Sequence, residues 1–148
     1  MFVRVSEKNI QEAAEVHSLS WKDSHKAFCS KDFIKKHNIE NQIGFLRKEI
    51  ELGKKLYMLI ENYSSVGIVS IHKDFIENLY VLPEEQGKGY GTKLLLFAID
   101  KCKGQPILCI LDNNKRAYNL YYKYGFRKTG KVNVLCDTIS EIEMKKIN

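Results

Sequence analysis

Three glycines at alternate positions, Gly87, Gly89 and Gly91, constrain this chain more than any other feature. They follow an apolar run ending at Val81-Leu82-Pro83 and lead at once into Lys93-Leu94-Leu95-Leu96-Phe97-Ala98-Ile99, an apolar helix pattern. A turn stripped of side chains lets backbone N–H groups close on an anion at the positive end of the new helix. The segment predicts strand, turn and helix in that order, with a phosphate cradle at the turn. Two familiar cradles do not fit. A P-loop needs Gly-Lys-Ser/Thr, and no such triplet occurs. The dinucleotide fingerprint G-x-G-x-x-G, started at Gly87, would need glycine where Thr92 stands. What remains is Gln86-x-x-Gly89-x-Gly91. Alternate glycines alone arise by chance in about one chain in twenty of this length.

A second element lies one helix and one strand further on. It reads Asn114-Lys115-Arg116-Ala117-Tyr118-Asn119-Leu120-Tyr121-Tyr122-Lys123-Tyr124-Gly125-Phe126. The pair resembles the GNAT N-acetyltransferases, whose coenzyme A loop is written [R/Q]-x-x-G-x-[G/A] and whose later element is N-x-x-A-x-x-[LF]-Y-x-x-x-G-F. The specified positions of the second element would coincide by chance on the order of once in ten million starts. The two elements and their flanks cover about residues 66 to 130, and the part before Lys55 matches only loosely.

The resemblance implies an α/β (α+β) GNAT fold. Its central sheet is mixed and mostly antiparallel, splayed between the fourth and fifth strands, with helices on both faces. It also implies acetyl-CoA (CoA) as cofactor. The pyrophosphate would take backbone bonds from the turn Gly87, Lys88, Gly89, Tyr90, Gly91 and Thr92, with Gln86 opening it. The pantetheine arm would lie beside the preceding strand at Leu79, Tyr80 and Val81. Asn114, with Ala117, would meet the arm from the other side. Tyr80 and Val81 alternate faces, so one of them packs in the core whatever the function.

An amine acceptor is protonated near neutral pH, since an alkylamine has a pKa of about 10.4. A carboxylate near the thioester would help it lose that proton. Glu77 resembles the glutamate that many members carry on this strand, as base or water-holder; the alternative is a solvated strand residue. Tyr121 stands at the motif tyrosine and is expected to protonate or hydrogen-bond the leaving sulfur. Tyr118, Tyr122 and Tyr124 are expected to pack or face solvent. Trp21 either lines the acceptor pocket or packs in the core. His25 and Cys29 share a helical spacing, but the ligand set a structural zinc needs is missing, and no metal is expected.

The element order reads βααα(ββ)βαβαββ, a mixed sheet with helices on both faces. Phe2 to Val5 is a first strand, with Ser6 as N-cap and Ile10, Ala13, Ala14 and His17 on one helical face. Ser30 caps a short helix carrying Phe33 and Ile34. A further helix shows Ile43, Leu46 and Ile50 and stops at Gly53, although Gly44 interrupts it. Strands are expected at Lys55 to Glu61, Val66 to His72, Phe75 to Leu82 and Ile107 to Leu111, and closing strands at Lys131 to Asp137 and Ser140 to Lys145. Helices are expected from Gly91 to Lys103 and from Asn114 to Tyr124. At 148 residues the chain is expected to be a single domain, residues 1–148.

No apolar run approaches a membrane span, and the N-terminal residues lack a secretory pattern. Four cysteines without CxxC spacing point to a reducing, cytoplasmic setting. The net charge of +6 is spread along the chain without an aromatic-interleaved basic run, so no nucleic acid partner is expected. The expected activity is transfer of acetyl from acetyl-CoA to a small-molecule or peptide primary amine by direct attack in a ternary complex. The alternative is a non-catalytic acetyl-CoA or CoA-binding sensor or partner subunit. A homodimer is left open. A basic chain argues against a polycationic acceptor unless a local acidic patch exists, from residues such as Glu40, Glu49 and Glu51.

Overall fold

The computed structural model describes residues 1–26 and 29–147. The elements run β1 (Phe2–Arg4), α1 (Ile10–His25), α2 (Lys31–Lys35), α3 (Ile39–Glu51), β2 (Lys55–Glu61), β3 (Ser64–His72) and β4 (Phe75–Val81). A single 3-10 turn (Pro83–Glu85) leads to α4 (Tyr90–Lys101), β5 (Ile107–Leu111), α5 (Lys115–Lys123), β6 (Phe126–Val134) and β7 (Ser140–Lys146). This is the expected order. The strands form one sheet in the order β1-β2-β3-β4-β5-β7-β6. Among the described residues, only β4 and β5 run parallel; every other neighbouring pair is antiparallel.

Apolar side chains sort to both faces of the sheet. On one, Leu94, Leu95 and Ala98 of α4 and Tyr121 of α5 pack on Val69, Ile71, Ile76, Leu108, Ile110, Phe126 and Met144. On the other, Ile10, Ala13, Ala14 and Val16 of α1 and Leu46 of α3 pack on Leu56, Met58 and Ile68. Full burial of one such side chain contributes about 1.5–3 kcal/mol, so these contacts fix the helices to the sheet. By contrast α2 buries no residue; the Ser30 hydroxyl accepts from the Phe33 amide at its start, and the Phe33 ring meets Trp21 and His37.

The boundaries differ in instructive places. Ser6 does not cap α1; Asn9 directly precedes the helix, and its side chain accepts from the Ser6 amide while donating to the Arg4 carbonyl. The polar segment after His17 continues α1 to His25, with Ser18 and Ser20 both buried and the Ser18 hydroxyl donating to the His37 carbonyl. The β2–β3 turn is confined to Asn62 and Tyr63, both at positive φ, so β3 starts at Ser64. Such a two-residue turn matches the twist of the paired strands. β6 begins at Phe126 rather than Lys131. Its residues 128–134 are exposed on the sheet edge, so no alternation marks them, and the fully buried Phe126 anchors the start.

Two features of β4 shape the cleft beside it. Its ladder with β5 holds only at Phe75↔Ile107 and Ile76↔Leu108, so the strands part beyond that point. This is the splay expected between the fourth and fifth strands. Against β3 the register shifts between Ile68 and Ser70, leaving Asn78 and Leu79 opposite Val69 alone. Asn78 takes φ 51 in this bulge, and asparagine tolerates the left-handed region better than most residues.

Candidate active site

The parted strands open into two adjoining cavities. One, about 310 Å³, lies against the glycine turn and is walled by Leu79, Tyr80, Val81, Gln86, Gly87, Gly89, Tyr90, Gly91 and Thr92, with Asn114, Arg116, Ala117 and Tyr121 opposite. The other, about 480 Å³, lies in the wedge and is lined by Glu77, Asn78, Cys109, Leu111, Glu141, Glu49, Lys54, Ser24 and His25, among others. Ser24, Leu79, Tyr80, Asn114, Ala117 and Tyr121 belong to both walls. The sequence-predicted residues are therefore brought together, apart from Lys88. That side chain is exposed, bonds Glu85 at 2.8 Å and lines neither cavity.

The glycine turn is built to present amides. Gly87 and Gly89 sit at φ 82 and φ 87, a conformation that other residues rarely adopt. Gly89 directly precedes α4, whose first turn carries no acidic side chain. Among the described residues, the amides of 87–92 have no intramolecular acceptor. Six free N–H groups at the positive end of a helix suit an anion. Arg116 adds a cation: one guanidinium nitrogen lies 3.6 Å from where a Cβ on Gly87 would be. Arg116 occupies an unspecified position of the second motif, so the motif alone does not mark it.

At the junction stands Tyr121. Its ring packs at a tilt on Phe126, with centroids 6.0 Å apart. Burial, reinforced by nearby Tyr80, raises its pKa well above the ordinary tyrosine value, so the phenol keeps its proton across the neutral range. Tyr80 is pushed up to about 12, by burial first and then by the charge of Glu141. Asn114 caps α5, its side-chain oxygen accepting from the Ala117 amide at 3.1 Å. That bond fixes the asparagine where it faces both cavities. Ser20, on α1, is 4% exposed, and its hydroxyl has no hydrogen-bond partner although it lines the glycine-side cavity. An unpaired buried hydroxyl costs stability, and such groups are uncommon.

The wedge side is acidic. Glu77 bonds Lys54 at 2.8 Å, and Lys54 bonds Glu49 at 3.0 Å. Burial alone would lower the pKa of Lys54, but its hydrogen bonds to the two carboxylates outweigh it and raise the value. Of Glu40, Glu49 and Glu51, Glu49 lines the cavity and the other two do not, while Glu141, which no motif marks, lines it too. Cys109 keeps its thiol proton, pushed up to about 11 by burial first and then by Glu141, Glu143 and Glu77.

Trp21 lines neither cavity. It stacks between His25 and His37, with centroids 4.0 and 3.4 Å away. His17 is buried behind the bulge, with Nε2 3.3 Å from the Asn78 oxygen. Among the described residues, no group of three or more His, Cys, Asp or Glu side chains could hold a metal ion. No helix among them is long and apolar enough to cross a membrane.

Comparison with known proteins agrees with this geometry. The chain is similar to a PaiA N-acetyltransferase from Thermoplasma acidophilum, solved with coenzyme A, at 22% identity and a TM-score of 0.73. The match covers 100% of this chain and 98% of that one. The YncA protein of Salmonella typhimurium, solved with its cofactor acetyl-CoA, superposes with a TM-score of 0.75 at 20% identity, over 98% of this chain and 91% of that one. The thialysine N-epsilon-acetyltransferase of Bos taurus is 42% identical over 55 residues, 34% of this chain. The match spans about a third of that relative's length, 32%. The profile described as the acetyltransferase (GNAT) family matches residues 13–126, and the chain belongs to that family.

Proposed function

We propose that this acyltransferase moves acetyl from acetyl-CoA to a primary amine by direct attack within a ternary complex. The observation that carries the reading is the shared wall: a cavity fit for phosphates and a cavity fit for an amine meet at Tyr121, Leu79, Tyr80 and Asn114. The free amides of the glycine turn and Arg116 would hold the pyrophosphate. The unpaired edge of β4 at Leu79, Tyr80 and Val81, with Asn114 and the Ser20 hydroxyl, would hold the pantetheine arm. Bound acetyl-CoA supplies an acyl group already activated toward amines.

Tyr121 then serves as the acid, keeping its proton until the sulfur departs. Glu77, tethered by Lys54, serves as water-holder beside the amine. A covalent acyl-cysteine step is disfavoured, because the Cys109 thiol is pushed away from the thiolate that such a step needs. Three carboxylates against one lysine make the acceptor side electronegative in a chain of net charge +6. That favours a cationic amine, and the kind of acceptor in the name of the Bos taurus relative fits it.

Calorimetric titration with acetyl-CoA, followed by thiol release with a panel of amines, tests the reading. Micromolar binding and amine-dependent release are expected. Binding without release from any amine would leave a CoA-binding protein, and no binding at millimolar cofactor would overturn the proposal altogether.

A further inference from the structure

We propose that Glu141, on β7, is the group that takes the proton from the acceptor's ammonium. The inference rests on the acetyl-transfer reading above and assigns a step within it. Side chains paired across neighbouring strands share a face of the sheet. Leu108 and Ile110 of β5 lie opposite Met144 and Ile142 of β7 and point into the α4–α5 core. Cys109 and Leu111, opposite Glu143 and Glu141, therefore point the other way. On β4, Ile76 is in the core and Glu77 is on the same side as Cys109. Glu77, Cys109, Leu111 and Glu141 thus form one surface, the floor of the wedge cavity.

The two carboxylates on that floor are not equivalent. One oxygen of Glu77 is committed to Lys54, which Glu49 holds from behind. Among the described residues, the Glu141 carboxylate makes no ion pair or hydrogen bond, although it is partly buried in the cavity wall. Burial, and then the charge of Glu77, raise its pKa above the usual carboxylate value. Two other groups facing this cavity hold their own protons near neutral pH: Tyr80 on β4 and Cys109 on β5 are pushed up to about 12 and about 11. His25 on α1 has its Nδ1 turned to the Ser24 hydroxyl and the Trp21 carbonyl, and burial lowers its pKa. Lys54 stays charged between its two glutamates. Glu141 is the carboxylate in this wall left for an incoming ammonium.

The step balances. The ammonium proton passes to Glu141, the freed nitrogen forms the new N–C bond, the C–S bond breaks, and Tyr121 supplies a proton to the sulfur. The amide nitrogen gives up its second proton to water, solvent returns a proton to the Tyr121 phenolate, and Glu141 passes its proton to solvent, for a net release of one proton.

Two amines of similar size separate a base from a binding residue. Butylamine is a cation near neutral pH, whereas trifluoroethylamine is largely neutral because fluorine withdraws electrons. With Glu141→Gln, kcat/KM for butylamine should fall roughly 10²-fold, the usual scale for one acid–base group, and for trifluoroethylamine by less than about threefold. The acid limb of the kcat/KM profile should vanish in this variant, and calorimetric affinity for CoA should be unchanged.

Thermal stability supplies a readout independent of turnover. A carboxyl whose pKa rises on folding costs stability once ionised; the penalty is absent below its unfolded pKa and complete above its folded one. Glu141→Gln should therefore raise Tm at about pH 8 and give no such gain at about pH 3. Equal losses with the two amines would overturn the assignment. So would a selective loss of butylamine turnover in Glu77→Gln with Glu141→Gln unaffected. Wild-type protein that acetylates neither amine would overturn both this inference and the transfer reading, whereas wild-type turnover with an indifferent Glu141→Gln would overturn this inference alone.

Discussion

The two halves of the cleft are made of different material. On the glycine side most of the polar groups are backbone: amides at 87–92 without acceptors among the described residues, and the bare edge of β4 beyond Ile76, to which Arg116, Asn114 and Ser20 add side chains. On the wedge side they are side chains: Glu49 from α3, Lys54 just ahead of β2, Glu77 from β4 and Glu141 from β7. Backbone donors on a rigid turn suit a ligand part that never changes, such as a pyrophosphate. Side chains brought from distant elements can be exchanged one at a time without disturbing the turn. On the proposed reading this division would let the acceptor wall change without disturbing the turn, and Tyr121, which lines both halves, would stand where the two ligands meet.

The sharpest test of that boundary is Tyr121→Phe. The ring and its packing on Phe126 remain, and only the hydroxyl is lost. Turnover should fall by roughly 10²-fold while cofactor affinity stays within about twofold. Equal loss of both would place Tyr121 in cofactor binding alone, and unchanged kcat would remove its role as acid.

Gly89→Ala attacks the backbone half. Nothing lies within 4 Å of a Cβ built there, so crowding by the protein is not the obstacle. The obstacle is φ 87, where an alanine is strained by about 1–2 kcal/mol. The turn must shift and its amides with it. CoA affinity should drop about tenfold, corresponding to about 1.4 kcal/mol, with turnover at saturating cofactor little changed. Calorimetry that finds wild-type affinity would show that the cradle does not depend on this turn's conformation.

These two halves also differ in how far the sequence reveals them. The glycine turn, its flanking strand and helix, and the Asn114–Phe126 element are contiguous, so local chemistry announces them. The wedge is another matter. Glu141 sits in Ser-Glu-Ile-Glu-Met-Lys-Lys, an alternating strand in which nothing separates it from Glu143. Only the register Leu111↔Glu141, with its position beside the splay, brings it to the cavity. Glu49 looks like a solvated helix charge until packing buries it against Lys54. Ser20 falls in a polar stretch without periodicity, which also hid the second half of α1. Tertiary register decided each of these positions.

Ser20→Ala asks whether the α1 wall belongs to the backbone-built half. The hydroxyl is buried without a partner, so removing it should leave the unliganded Tm unchanged or slightly higher. If the hydroxyl bonds the pantetheine arm, CoA affinity should fall about threefold to tenfold, the loss of one hydrogen bond. A nucleotide lacking the arm should bind both proteins alike. A lower Tm together with unaltered CoA affinity would make Ser20 a structural residue.

The smallest effect is expected at Gly91→Ala, which is why it is informative beside Gly89→Ala. Gly91 lies inside the first turn of α4, at an ordinary helical φ. A Cβ there would meet Leu120 at 3.8 Å and Val81 at 4.0 Å, both normal contacts. Alanine is favoured over glycine within a helix by up to about 1 kcal/mol, so Tm should rise slightly. Affinity for CoA should stay within about twofold, because the amide remains and the methyl has room on the protein side. A tenfold loss would mean that the phosphates approach the helix itself on the Gly91 side. The cradle would then extend from the left-handed turn into α4, and its specificity would rest on helix contact as much as on turn conformation.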